Sequence, residues 1–108
     1  MAAYDGGRIV GFAALVNESC VDDICLSPWL DFLFVDEQYR NKGIAKAMVD
    51  VLMRVALTEG IETVYLCTVT HKQMYESLGF STLYKTKING ADECFVMKKH
   101  ISVSEYCK

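Results

Sequence analysis

Apolar residues recur along this chain at two periods, and the alternation of the periods outlines the fold. Met1–Tyr4 is a short apolar run, Asp5-Gly6-Gly7 is a turn, and Arg8–Val16 is a second apolar run. That pattern predicts a β-hairpin. Gly11 inside the second run predicts a bulge or a close backbone approach. Asn17–Pro28 is polar and holds the single proline, so it reads as a loop. Trp29–Val35 is nearly continuously apolar, which predicts a strand buried on both faces, with Asp31 the exception. Asp36–Arg40 ends that strand, and a helix is expected from Asn41-Lys42-Gly43 to about Glu59. Lys46, Asp50, Arg54 and Thr58 form its narrow wet stripe, opposite Ile44, Met48, Val51, Leu52 and Val55. Gly60 supplies its stop.

Ile61–Val69 predicts another buried strand, and His71–Leu78 a short helix closed by Gly79. Ser81–Ile88 and Glu93–Lys99 read as two strands joined at the hairpin signal Asn89-Gly90. The predicted order is β-β-loop-β-α-β-α-β-β, an α/β fold with one strand–helix–strand unit at its centre. A single domain over 1–99 and a tail over 100–108 are expected.

Composition narrows the function classes. The 108 residues carry 11 Lys+Arg against 14 Asp+Glu, and 52% are hydrophobic. That suits one globular domain. A net charge of −3 argues against a nucleic-acid surface, which needs clustered cations. The strongest apolar stretch, Ala45–Leu57, is broken by Lys46, Asp50 and Arg54 and is shorter than the roughly 20 residues a membrane span needs. The N-terminal residues carry no secretory signal pattern. Cys20, Cys25, Cys67, Cys94 and Cys107 include no CxxC pair, and His71 and His100 lie near no Cys pair, so no metal is expected. Reduced thiols in a cytoplasmic setting are the expectation.

The chemistry concentrates where the central strand meets the long helix, at Arg40-Asn41-Lys42-Gly43-Ile44-Ala45. Backbone N–H groups at a helix start lack intrahelical acceptors, and the helix dipole adds positive character. The junction is therefore suited to an anion. Gly43 lets a phosphate approach the backbone, Ala45 keeps the next turn open, and Arg40 and Lys42 add charge. Neither G-x-G-x-x-G nor a Walker loop is present.

Arg40–Ala45 resembles the Arg/Gln-x-x-Gly-x-Gly/Ala motif of the GNAT superfamily of N-acetyltransferases. Tyr75-Glu76-Ser77-Leu78-Gly79-Phe80 resembles that family's Tyr-Glu-x-Leu-Gly-Phe segment, and Asp5–Phe12 its early hairpin. The resemblance spans roughly Met1–Lys99. It implies a mixed, mostly antiparallel sheet around a β-α-β-α-β-β core, with the family's usual N-terminal helices missing. It implies acetyl-coenzyme A as cosubstrate and direct acetyl transfer to a primary amine in a ternary complex. Main-chain groups of Phe34 and Val35, the Arg40–Ala45 loop, and Thr68 or Thr70 (in place of a family Asn) are the implied coenzyme contacts.

The resemblance also implies Tyr75 as the acid that protonates the departing thiolate; on position alone Tyr75 is equally a core aromatic. The base is open between Asp31, His71 and a water chain. By period-2 spacing Asp31 shares a face with Leu33 and Val35. Cys67 reads as packing. A catalytically inert coenzyme A-binding regulatory or scaffold domain is the alternative. The acceptor, a small-molecule or peptide amine, is not legible. With so little chain before the first turn, apolar residues of the Arg8–Val16 strand are expected to face water. Either a homodimer or an open acceptor cleft would follow.

Overall fold

The computed structural model describes residues 1–17, 27–88 and 92–102. Its elements follow the predicted order: β1 (Ala2–Asp5), β2 (Arg8–Val16), β3 (Trp29–Val35), a 3-10 turn (Glu37–Tyr39), α1 (Ile44–Thr58), β4 (Thr63–Thr68), α2 (Lys72–Ser77), β5 (Ser81–Ile88) and β6 (Asp92–His100). Among the described residues the strands form a six-stranded sheet in the order β1-β2-β3-β4-β6-β5. Only β3 and β4 are parallel, because α1 connects them as a crossover; the other pairs are antiparallel. The acidic loop residues Glu18, Asp22 and Asp23, the Asn89-Gly90 turn and Cys20, Cys25 and Cys107 lie outside the described residues.

The β1–β2 turn needs positive φ at both central residues, and Gly6 and Gly7 supply 57° and 91°. α1 starts at Ile44 rather than at Asn41, because Asn41 (φ 62°) and Gly43 (φ 79°) are left-handed and cannot be helical. Its buried residues are Met48, Val49, Leu52, Met53 and Ala56. At 100° per residue these cover roughly 140° of the helix. Val51 and Val55 fall outside that arc and are exposed, against the expectation that they face the core. The core joins these helix residues to Ala13, Leu30, Val64, Leu66, Phe80, Met97 and Ile101. Ile101 is buried and β6 runs to His100, so the packed chain extends past Lys99 into the expected tail.

Both helices end in the same way. In α1 the Gly60 N–H reaches Leu57 O and the Ile61 N–H reaches Ala56 O. In α2 the Gly79 N–H reaches Glu76 O and the Phe80 N–H reaches Tyr75 O. These are paired Schellman bonds, with glycine at the left-handed position. Gly60 has φ 81° and Gly79 φ 98°.

Candidate active site

The sheet is not uniformly closed. β3 and β4 share a single register pair, Trp29↔Tyr65, whose rings also touch at 5.9 Å. Beyond that clasp the two strands diverge toward their C-terminal ends. β4 is fully paired on its other side with β6, from Thr63↔His100 to Thr68↔Phe95. The result is a V-shaped gap that opens toward the start of α1. This gap accounts for one departure from expectation: Phe34 lies beside it and is exposed rather than buried.

A bulge then sets which side chains face which way. From Phe12 to Ala14, β2 advances two residues while β3 goes from Phe34 to Asp31, three residues. The extra residue on β3 inverts the alternation. Val35 is opposite Gly11, whose added Cβ would meet Met48 of α1 at 3.1 Å and the Phe34 carbonyl oxygen at 2.9 Å. Gly11 and Val35 therefore face α1, and the close approach expected at Gly11 is present. Phe12 and Phe34 face away. Below the bulge, Leu30 packs with the α1 residues, so Asp31 faces away as well. Asp31 thus shares its face with Phe34, not with Leu33 and Val35 as simple alternation predicts.

At the open end of the gap the strand–helix junction is built from the turn upward. Asp36 caps the Glu37–Tyr39 turn, its Oδ1 accepting from the Gln38 N–H at 3.1 Å, and its Oδ2 accepts from Arg8 at 3.2 Å. The Tyr39 hydroxyl donates to Asp5 at 2.7 Å, and that bond is the main reason its pKa is raised. Arg40 Nε donates to the Val35 carbonyl at 3.0 Å, which fixes the guanidinium across the loop. Lys42 stands over the Tyr39 ring, 5.5 Å from its centre. The first ladder bond of α1 runs from the Ala47 N–H to Gly43 O, and Gly43 has no side chain to cap the helix. The N–H groups of Ile44, Ala45 and Lys46 precede that bond and present the positive end of the helix. A Cβ on Gly43 would enter open space, in a conformation L-residues rarely adopt.

Gap and junction form one cavity of about 570 Å³, in the size range of ligand sites. Of the residues singled out in the sequence, Phe34, Val35, Arg40, Asn41, Gly43, Ile44, Ala45 and Tyr75 line it. Leu33, Tyr39, His71 and Met74 line it too. Tyr39 was legible only as an aromatic in a polar turn beside Arg40. Lys42 and Thr68 are not on the wall: Lys42 is turned onto Tyr39, and the buried Thr68 hydroxyl accepts from the His71 N–H at 3.0 Å. His71 is exposed and its Nδ1 lies 3.0 Å from the Thr70 hydroxyl. Asp31 is not on the wall, yet its charge acts on Tyr75.

Tyr75 is held by the local chain. It is the residue whose carbonyl accepts the Schellman bond from Phe80, and the two rings meet edge to face at 6.1 Å. Lys99 donates to the Leu78 carbonyl at 2.9 Å, adding a cation at the α2 C-terminus. Burial is the first cause that raises the Tyr75 pKa above 10, with the charges of Asp31 and then Cys67 behind it. The phenol is therefore protonated at neutral pH. Cys67 is half-buried beside this group rather than deep in the core, and Cys67 and Cys94 are both thiols. No cluster of metal ligands and no helix long and apolar enough to span a membrane occurs among the described residues.

The fold is an α/β sheet split between its two parallel strands, with the start of a helix at the mouth of the split. The sequence matches the profile described as Acetyltransferase (GNAT) domain over residues 1–82, and the chain belongs to that family. It is 31% identical over 94 residues to a spermine/spermidine N(1)-acetyltransferase of Bacillus subtilis (strain 168). That alignment takes in 81% of this chain and 62% of the relative, so the chain spans less than two thirds of that protein. An aminoglycoside 6'-acetyltransferase type Ii superposes with a TM-score of 0.77 at 26% identity, covering 94% of this chain and 67% of the other. An aminoglycoside 6'-N-acetyltransferase complexed with coenzyme A gives 0.78 at 21% identity, covering 94% and 71%.

Proposed function

We propose that the protein is an acetyl-coenzyme A-dependent N-acetyltransferase that acetylates a primary amine by direct transfer within a ternary complex. The observation that carries this reading is a single cavity with an anion cradle at one end and a protonated, half-buried tyrosine on its wall. The residues fit the coenzyme. Left-handed Asn41 and Gly43, the uncapped start of α1 and Arg40 suit a pyrophosphate, and the β3–β4 gap offers unpaired strand edges to an amide-bearing arm. The coenzyme supplies an acetyl thioester. Tyr75 is the acid that gives its proton to the departing sulfur and is reprotonated by solvent. Asp31, His71 or a water chain takes the proton the amine loses. The named relatives act on polyamines and aminoglycosides, both of which are amines.

Thr68 favours a second reading. Its side chain is buried and absent from the cavity wall, so it is not placed to stand in for the family Asn at the coenzyme arm. A domain that binds coenzyme A without turning it over would tolerate that loss. Thiol release from acetyl-coenzyme A in the presence of trial amines separates the two. Amine-dependent release is expected. Coenzyme binding by calorimetry without release under any amine would support the inert domain instead.

A further inference from the structure

β6 carries a buried cation on a face whose other residues are apolar. Lys99 is only 7% exposed and lies opposite the fully buried Val64, and Met97 two residues back belongs to the core. Burying an ammonium is costly, and an apolar side chain of similar volume is often as stable in such a place. Core stability therefore does not call for a lysine here. What the ammonium does is local. Its Nζ donates to the Leu78 carbonyl at 2.9 Å, and the Leu78 N–H donates in turn to the Tyr75 carbonyl at 3.1 Å. One residue thus links the cation to the backbone of Tyr75. Gly79 leaves the space this needs, since a Cβ there would meet Lys99 Nζ at 2.8 Å and Cε at 3.3 Å. α2 has six residues, and Tyr75 lies in its last turn. A helix of that length has little stability of its own, so the position of that turn is set from outside it.

Resting on the acetyltransferase reading above, we propose that Lys99 is a positioning residue for the reaction: its ammonium ties the end of α2 to β6 and so fixes the Tyr75 phenol on the cavity wall. β6 is a firm anchor, because it pairs with β4 on one side and β5 on the other. Lys99 itself is not on the cavity wall and acts through Leu78 on Tyr75. Without the ammonium, the last turn of α2 loses its tie to the sheet while the Tyr75 ring still packs on Phe80. A displacement of about 1 Å at a reacting group can cost about 100-fold in rate. The cradle at the start of α1 is built on other elements, so coenzyme affinity should not respond.

The test is a double-mutant cycle on the full chain, read as the single-turnover rate of thiol release from acetyl-coenzyme A with spermidine or kanamycin as the amine. Lys99→Met, an apolar side chain of similar length, should slow release by about tenfold or more in the wild-type background and by less than about twofold in Tyr75→Phe. Coenzyme A affinity by calorimetry should be the same with and without the substitution, and Lys99→Arg, which keeps the charge, should recover part of the rate. Equal slowing in both backgrounds, no slowing in wild type, or a loss of affinity that matches the loss of rate overturns the assignment. If Lys99→Met does not fold, Lys99→Gln takes its place in the cycle under the same criteria. Amide hydrogen exchange gives a second reading that needs no turnover. In the substituted protein the amides of Leu78, Gly79 and Phe80 should exchange about tenfold faster, while those of the β4–β6 ladder keep their wild-type rates. Faster exchange along the whole ladder, or none at the α2 end, also overturns it. Failure of the underlying reading looks different, because wild type itself would then release no thiol with either amine.

Discussion

Gly43 and Tyr75 concentrate the chemistry at the scale of single residues. Gly43 holds φ 79° at the point where the strand turns into α1. Gly43→Glu should lower coenzyme A affinity by at least about 100-fold in calorimetry, because it puts a negative charge into an anion cradle. Gly43→Ala, which adds only the left-handed strain of roughly 1–2 kcal/mol, should keep most of the binding. If the Glu variant binds as wild type does, the cradle is elsewhere. Tyr75→Phe keeps the ring against Phe80 and loses only the proton, so it should retain binding and slow the chemical step by about 10²–10⁴-fold. Because the Tyr75 pKa is raised, activity that needs the protonated phenol should persist past pH 10 and fall only as pH climbs through that higher pKa. Asp31→Asn removes the second cause of the rise and should move this alkaline limb to lower pH, while burial holds it above 10. A limb that does not move in Asp31→Asn would separate the two groups. Gly43 was legible from the strand–helix junction, where a left-handed turn demands it, whereas Tyr75 was reached only through the family resemblance, since by position alone it is equally a core aromatic. The facing of Asp31 was not legible, because one inserted residue in β3 reverses the alternation, and nothing in Trp-Leu-Asp-Phe-Leu-Phe-Val marks where the bulge falls.

At the scale of elements, the short α2 depends on its C-terminal end more than on its own six residues. A helix this short has little intrinsic stability. Its end is held by the two Schellman bonds, by the Tyr75–Phe80 contact and by Lys99 on the Leu78 carbonyl. A Cβ at Gly79 would stand 2.8 Å from Lys99 Nζ, in a left-handed conformation. Gly79→Ala should therefore destabilise the protein by roughly 1–2 kcal/mol in urea denaturation, and reduce turnover more than coenzyme affinity because it tilts the element that carries Tyr75. Equal effects on both would mean that α2 does not position the acid independently. The element order was readable from periodicity and glycine punctuation. The buried arc of α1 was less so: Val51 and Val55 look like core residues by type, but what a helix buries is set by where the sheet lies against it. Nor does the sequence show where Thr68 and Lys42 turn: the Thr68 hydroxyl accepts from the His71 amide and the Lys42 ammonium stands over the Tyr39 ring.

Across the whole molecule, the sheet consists of two well-paired halves, β1-β2-β3 and β4-β6-β5, joined by one strand pair and by α1. Trp29 and Tyr65 make that clasp, helped by the Tyr65 N–H on the Pro28 carbonyl at 3.0 Å. Beyond it, strand edges that elsewhere in a sheet would pair with a neighbour face the cavity. The seam should therefore open at lower free energy than the core of either half. A coenzyme arm laid into the gap would bridge the halves and offer partners to both edges. The expectation is specific to place. In amide hydrogen exchange, peptides covering Asp31–Val35 and Leu66–Thr68 should be protected most strongly by coenzyme A, and the β5–β6 hairpin least. At 100 times the dissociation constant, ligand binding contributes about 2.7 kcal/mol to global stability, and amides that exchange only by global unfolding should slow about 100-fold everywhere. Seam amides should gain protection at ligand levels where the hairpin is still unaffected, because they exchange by local opening. Uniform protection across both halves would mean that the gap is no weaker than the rest and that the coenzyme acts on the fold as a whole.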